Sequence, residues 1–327
     1  MKRFILIILV CSISAALLSG CSATEREQSD RISIVCTIFP QYDWVRQIIG
    51  EENTDRFDLT FLLNNRVDSH SYNPSIQDIA KIKTGDVFIY AGGHSDSWAN
   101  DVLKDANPDI IVINILEILG DLVILDEHGC GADCDEDHEH DHSGGHDGLY
   151  ADEHFWVSLR RAKVICSAIA GVLSEIDPDN AQTYKNNLEA YTAKLSALDA
   201  EYQAAADAAD VNTLVFADRF PFRYLTEDYG LSHYAAFQGC SAETEVSFVT
   251  IVSLANRMNQ LGLNSIIVTE TSDQSIARTV INNTDAKNQQ ILVLDSIKSV
   301  TSADDRNGMT YLSIMENNLA VLKEALK

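Results

Sequence analysis

The sequence predicts an α/β protein of two lobes, in which each lobe is a parallel β-sheet flanked by helices and one long rigid helix joins them. Short apolar, β-branched segments alternate with amphipathic segments in both halves of the 327-residue chain, the pattern of βαβ units. Between the halves, residues 180–209 contain no Gly or Pro and repeat apolar side chains every three or four positions. A helix of about 30 residues spans roughly 45 Å, which exceeds one small lobe, so we predict that it connects the two.

The first lobe is predicted to comprise residues 31–177. Apolar, β-branched runs followed by turn-forming residues predict strands at 31–39, 57–63, 86–91 and 109–114. Helical patterns predict helices at 43–49, at 75–83 and within 153–173. The second of these is predicted to be capped by Ser75 or Asn73, residue types that favour helix starts.

The linking helix is predicted at 178–209 and the second lobe at 210–327. In that lobe, predicted strands at 212–217, 232–237, 265–269 and 291–294 alternate with predicted helices at 248–260, 275–281 and 309–326. Gly262 follows the first of these helices, where glycine commonly ends a helix. The second lobe therefore repeats the βα alternation of the first.

The first 20 residues are typical of a targeting segment. Lys2 and Arg3 precede a nearly continuous apolar run that is shorter than the roughly 20 residues of a membrane span. Leu18-Ser19-Gly20-Cys21 resembles the lipobox of bacterial lipoproteins, which implies cleavage before Cys21 and acylation of its sulfur. We predict a signal peptide at 1–20, a polar tether at 21–30, and a lipid-anchored protein on the extracytoplasmic face of the cell membrane.

The chain is strongly acidic, with 49 Asp and Glu against 24 Lys and Arg and a formal net charge of −25. Such a surface repels nucleic acid, so we exclude a nucleic-acid partner. It attracts cations in general without selecting one.

Residues 126–147 have the composition of a metal-binding tract. They include five His, nine Asp or Glu and two Cys, and no Lys or Arg. With so few apolar side chains, this segment cannot form a core, and we predict a disordered loop that captures metal weakly. An acidic solvated loop with incidental histidines is the simpler alternative, and Cys130 and Cys134 could form either a disulfide or a thiolate pair. The candidate accessory ligands are His128, His138, His140, His142 and His146.

Two further histidines lie in loops of the predicted lobe. His70 is in a polar turn between the second strand and the next helix, and His154 is at the start of a helical segment. In open α/β sheets, ligands bind at the carboxyl ends of strands, where such loops lie. Imidazole is a common ligand of Zn, Cu, Fe and Ni, so we predict that His70 and His154 bind a metal ion.

These motifs resemble the solute-binding lipoproteins of zinc- and manganese-type metal ABC transporters, over essentially the whole mature chain. The first ligand motif of that family, His-x-Tyr-Glu-Pro, is matched by His70-Ser-Tyr-Asn-Pro74, with Asn in place of Glu. The second, Asp-Pro-His-x-Trp, is matched by Asp152-Glu-His154-Phe-Trp156. A His-rich acidic insertion precedes the second motif in the zinc-type members, as it does here.

The second lobe departs from the family pattern. The resemblance implies a third ligand, His or Glu, at a position where this chain has Arg219, a cation that cannot bind a metal ion. Asp218, one residue earlier, is the best substitute. Glu270 and Asp273 are candidates for a fourth ligand, because their segment resembles one where manganese-type members place a carboxylate; Glu243 and Glu245 are weaker candidates.

The resemblance implies a lipid-anchored metal receptor, monomeric and not an enzyme, that delivers its ion to an ABC-type permease. Two imidazoles with one or two carboxylates suit Zn(II), and Mn(II) is the alternative. The alternatives in function are a metal buffer or chaperone that acts through the His-rich loop, or a zinc-dependent hydrolase with an open metal position. The hydrolase is disfavoured, because the sequence contains no Gly-x-Ser-x-Gly motif and no P-loop.

Overall fold

A computed structural model of the chain describes residues 31–65, 69–126, 150–237 and 245–327. The predicted signal peptide, the tether with Cys21, Glu243, and the tract histidines from His128 to His146 lie outside the described residues.

The N-terminal lobe contains a four-stranded parallel sheet with the strand order β2-β1-β3-β4. A short antiparallel pair, β5 and β6, follows it. The elements of this half are β1 (Ile32–Cys36), α1 (Phe39–Ile49), β2 (Phe57–Phe61), α2 (Ile76–Thr84), β3 (Val87–Tyr90), α3 (Ala99–Leu103), β4 (Ile111–Asn114), α4 (Ile115–Leu119), β5 (Leu125–Asp126) and β6 (Tyr150–Ala151).

Helix starts explain where this lobe differs from the predicted bounds. The first strand is shorter than predicted and α1 begins at Phe39, because Pro40 occupies the first turn of a helix, where its missing N–H costs nothing. Helix α2 begins as predicted: the Ser75 side chain accepts a hydrogen bond from the amide of Asp78, whose carboxylate accepts one from the amide of Ser75 in return.

The C-terminal lobe contains a second four-stranded parallel sheet, with the order β10-β9-β7-β8. Its third strand in the chain, β9, has the predicted bounds, and α8 ends at Gly262 in a left-handed conformation. The elements from the linking region onward are α5 (Leu159–Ile176), α6 (Ala181–Asp207), β7 (Thr213–Phe216), α7 (Arg223–Asp228), β8 (Ser232–Ala235), α8 (Phe248–Leu261), β9 (Ser265–Thr269), α9 (Ser275–Asn282), β10 (Gln290–Leu294), α10 (Ser302–Arg306) and α11 (Tyr311–Ala325).

The long helix α6 joins the two lobes. It is shorter than the predicted 178–209, because the residues Pro178–Asn180 form a separate 3₁₀ turn before it. Its 27 residues correspond to about 40 Å. It packs against α5 and α1, which precede it in the chain, and against α11, which follows it. The Tyr202 hydroxyl donates a hydrogen bond of 2.6 Å to the carbonyl of Met315 on α11.

Buried apolar side chains form one large cluster that includes both lobes and the linking helix, and a smaller one between the C-terminal sheet and α8 and α9. None of the helices in the described ranges combines the length and the apolar character that a membrane crossing requires.

Candidate metal centre

The fold brings His70 and His154 together, although 83 residues separate them in the sequence. His70 is in a 3₁₀ turn of three residues that follows β2, and His154 lies between β6 and another 3₁₀ turn. The centroids of the two imidazole rings are 5.6 Å apart. One divalent ion could therefore be shared by both rings.

His154 is buried and oriented by Asp152. One carboxylate oxygen of Asp152, Oδ1, accepts a hydrogen bond of 2.8 Å from the His154 amide and lies 2.8 Å from Nδ1 of the ring. Burial raises the pKa of Asp152, but the charge of His154 and these hydrogen bonds outweigh it, so the pKa lies below its usual value. A carboxylate beside Nδ1 favours the tautomer with the proton on Nδ1, which directs Nε2 toward a metal ion.

His70 is the more exposed of the two rings. Its Nδ1 atom lies 2.7 Å from the hydroxyl of Ser95, in the loop that follows β3. Asp96, the next residue, is buried and accepts a hydrogen bond of 2.8 Å from the Ala91 amide. Burial and the nearby Glu153 charge raise the pKa of Asp96 to about 6. The N-terminal lobe thus carries two imidazoles with the carboxylates of Asp152 and Asp96 near them.

Asp218 and Glu270 lie at the carboxyl ends of β7 and β9 in the second lobe. One Asp218 oxygen accepts hydrogen bonds from the Thr269 hydroxyl, at 2.7 Å, and amide, at 3.2 Å. Glu270 accepts hydrogen bonds from the Ser296 amide at 2.8 Å and from the hydroxyls of Ser296 and Ser299 at 2.9 and 3.1 Å. Both side chains are oxygen donors held in place by the ends of neighbouring strands.

The remaining predicted acids have less favourable surroundings. Asp273 is exposed, and its carboxylate accepts a hydrogen bond of 2.8 Å from the Ser275 amide at the start of α9. This bond lowers the pKa of Asp273, as expected for an acid at a helix amino end. Glu245 is exposed as well. Helix capping accounts for the position of Asp273 without a metal ion.

Sequence reasoning missed Asp295, which directly follows β10. Its carboxylate accepts a hydrogen bond of 2.7 Å from the Ile297 amide, and burial together with the charge of Glu270 raises its pKa to about 6. Its position after the last strand is the signal that could have identified it, because the same reasoning selects Asp218 after β7.

Trp156 contacts both His154 and the second lobe. The Trp156 ring packs edge-on against His154, and its indole N–H donates a hydrogen bond of 2.8 Å to the carbonyl of Ser296, between Asp295 and Ile297. Trp156 therefore connects His154 to the backbone next to Asp295 in the second lobe. Within the described ranges, no three His, Cys, Asp or Glu side chains converge as a complete metal site. Two imidazoles with one or two carboxylates nevertheless match the donors that zinc accepts.

Comparison with known proteins agrees with this fold. The family described as "Zinc-uptake complex component A periplasmic" (ZnuA) matches residues 34–325. The zinc-binding lipoprotein AdcA of Streptococcus pneumoniae is 29% identical over 317 residues, which cover 97% of this chain and 60% of that protein. The chain thus spans about three fifths of the length of this relative.

One further relative and the solved structure of one domain of AdcA match over nearly their whole length. The high-affinity zinc uptake system protein ZnuA of Bacillus subtilis is 26% identical over 309 residues, 94% of this chain and 92% of that protein. The structure of the Zn(II)-bound ZnuA-like domain of S. pneumoniae AdcA superposes with a TM-score of 0.69 and 27% identity, over 90% of this chain and 99% of that one. The family match over residues 34–325 shows that this chain belongs to the ZnuA family of periplasmic zinc-uptake components.

Proposed function

We propose that the protein is a lipid-anchored, extracytoplasmic receptor that binds Zn(II) between its two lobes and delivers it to an ABC-type permease. The pair of imidazoles from His70 and His154, with ring centroids 5.6 Å apart, is the observation that carries this proposal. The zinc named in the relatives AdcA and ZnuA supports the choice of ion, and Mn(II) is the alternative. The receptor acts as a monomer.

The ligand set of this proposal combines the two imidazoles with acids of the second lobe. Asp218 and Glu270 are candidates, and Asp295 joins them because it lies beside Glu270 at the same edge of the sheet. Each acid already accepts hydrogen bonds from neighbouring backbone or hydroxyl groups, which hold its oxygens in position. Asp273 is the weakest candidate, because it is exposed at the start of α9.

The proposal describes a receptor rather than an enzyme. A receptor surrounds its ion with protein ligands from both walls, whereas a hydrolytic zinc site keeps one position for an activated water. The acids of the second lobe would occupy that position here. The AdcA and ZnuA relatives are named for zinc binding and zinc uptake, which fits capture and release of the ion.

Titration of the soluble domain, residues 31–327, with Zn(II) tests this function. We expect one tight site per chain, and we expect His70→Ala and His154→Ala each to weaken it by at least about 100-fold, since each removes a direct ligand. His233→Ala is the matched control, because this exposed imidazole on β8 stacks on Phe220, far along the chain from either motif. Unchanged affinity in both ligand variants would refute the site.

The acids are distinguished by three single amide substitutions: Asp218→Asn, Glu270→Gln and Asp295→Asn. Each preserves size while removing the charge that a divalent ion requires. The substitution with the largest loss of affinity identifies the second-lobe ligand, and equal affinity in all three would restrict the site to the first lobe.

A further inference from the structure

Glu153, which lies between Asp152 and His154, has a side chain that points to another loop. It is buried, with 7% of its surface exposed, and its Oε1 atom accepts a hydrogen bond of 2.9 Å from the Ser95 amide. A Cβ atom placed on Gly93 would lie 2.1 Å from the same oxygen. The Glu153 carboxylate therefore packs directly on the loop that follows β3.

Ser95 connects this contact to His70. Its amide is bound by Glu153, and its hydroxyl lies 2.7 Å from Nδ1 of the His70 ring. His70 itself belongs to an exposed turn of only three residues, which by itself gives the ring little support. The Ser95 hydroxyl is therefore one of the contacts that orient this imidazole.

We propose that Glu153 is a positioning residue for His70, acting through Ser95. This proposal rests on the proposed function, in which His70 is a zinc ligand. Asp152 orients His154 directly, and Glu153 orients His70 through Ser95, so two adjacent acids orient both imidazoles. The family motif has proline at the position of Glu153, and proline has no side-chain acceptor for the Ser95 amide.

The first test compares Glu153→Ala with Glu153→Gln by Zn(II) titration of the soluble domain. We expect Glu153→Ala to weaken binding by about 10- to 100-fold, the range for residues that orient metal ligands. Glu153→Gln keeps an oxygen acceptor at Oε1 and should bind within a few-fold of the unsubstituted protein. The absorption spectrum of bound Co(II) should change in the Ala variant alone, a readout that a purely structural defect would not alter.

The second test uses Gly93, because its φ lies outside the left-handed region and Ala is compatible with its backbone. The added methyl group meets only the Glu153 side chain among its three nearest atoms. Gly93→Ala should therefore displace Glu153 and weaken zinc binding as much as Glu153→Ala does. In the Glu153→Ala background, Gly93→Ala should have no further effect.

Two results would overturn the positioning role while leaving the proposed function intact. One is unchanged zinc affinity in Glu153→Ala when His70→Ala weakens binding. The other is an equal loss from Gly93→Ala with and without the Glu153 side chain. Unchanged affinity in His70→Ala would instead reject the site assignment itself.

Discussion

At the scale of single residues, the second lobe contributes to the surroundings of His154 through Tyr224. The hydroxyl of this residue on α7 donates a hydrogen bond of 2.7 Å to the Asp152 carbonyl and accepts one of 3.1 Å from the Ile124 amide. Tyr224 thus fixes the backbone of the residue whose carboxylate orients His154. Burial raises its pKa, so the hydroxyl keeps its proton at any physiological pH.

Removing the Asp152 carboxylate should weaken zinc binding without removing a ligand. We expect Asp152→Ala to reduce the affinity by about 10- to 100-fold, because His154 loses the partner that sets its tautomer and ring orientation. Competition with a chelator of known affinity measures the change. Asp109→Ala is the control, since this exposed acid precedes β4 at the opposite edge of the same sheet. Equal affinity in the two variants would exclude an orienting role for Asp152.

The candidate ligands differ in how far the sequence could predict them. His70 and His154 were predictable because each belongs to a motif with several fixed neighbours. Asp295 was not, because a lone acid after a strand is ordinary in sequence, and only the pairing of β10 with β9 places it beside Glu270. Glu153 was missed since its partner Ser95 is 58 residues away.

At the scale of elements, Asp177 holds the turn between α5 and the long helix α6. Its carboxylate accepts two hydrogen bonds from the Arg56 guanidinium, at 2.8 and 3.0 Å, and others from Tyr184 and Asn180 at 2.6 and 2.9 Å. Burial raises the pKa of Asp177, but these bonds outweigh it and lower the pKa below its usual value. One buried side chain therefore joins two helices to the segment before β2.

Asp177→Asn should lower the free energy of unfolding by about 2 kcal/mol at pH 7, because it weakens several hydrogen bonds to a buried charge. The folded pKa lies below the unfolded value of about 3.9, so the carboxylate stabilises the fold fully above that pH. The difference from the unsubstituted protein should shrink as the pH falls through the lower folded pKa. Urea unfolding at pH 7 and pH 3 measures this, with the exposed Asp179→Asn as control. A difference that does not depend on pH would contradict the ionic explanation.

Elements with strong apolar patterns and clear end signals were predicted well from the sequence, and the shortest helices were not. Strand β9 and helix α8 carry strong apolar patterns and clear end signals, and their bounds match to within one residue. Helices α3 and α4 were missed because each has only five residues, too few to show the repeat of apolar positions that indicates a helix. Helix α3 follows the loop after β3, whereas α4 begins directly after β4, where the Asn114 side chain accepts a hydrogen bond from the Glu117 amide.

At the scale of the whole molecule, the two lobes share buried contacts in addition to the linking helix. Tyr311, the first residue of α11, donates a hydrogen bond of 2.7 Å from its hydroxyl to the Trp156 carbonyl. Its amide donates one of 2.8 Å to the buried Asp43 carboxylate on α1. Together with the Trp156 bond to Ser296, these contacts join the segment after His154 and helix α1 to the second lobe.

We expect that the segment 127–149 can be replaced without disturbing the fold, because the residues on either side of it are paired. Asp126 and Tyr150 are antiparallel partners in the β5–β6 pair. Replacing 127–149 with Asn-Gly, a dipeptide suited to a two-residue hairpin turn, should preserve the melting temperature to within a few degrees. We expect the tight zinc site to remain and weaker zinc binding to disappear, as measured by calorimetric titration. Loss of the tight site would favour the metal-buffer alternative, in which the tract itself is the functional element.

The β5–β6 pair affects which insertions this protein can accept between the two strands. Partner residues of an antiparallel pair lie only about 5 Å apart, so whatever the chain carries between them begins and ends at nearly the same point. The segment between Asp126 and Tyr150 can vary in length and composition while His154, four residues after Tyr150, keeps its position. The same geometry offers a place to insert a folded fluorescent domain close to His154, which would test the proposed zinc binding by an optical signal.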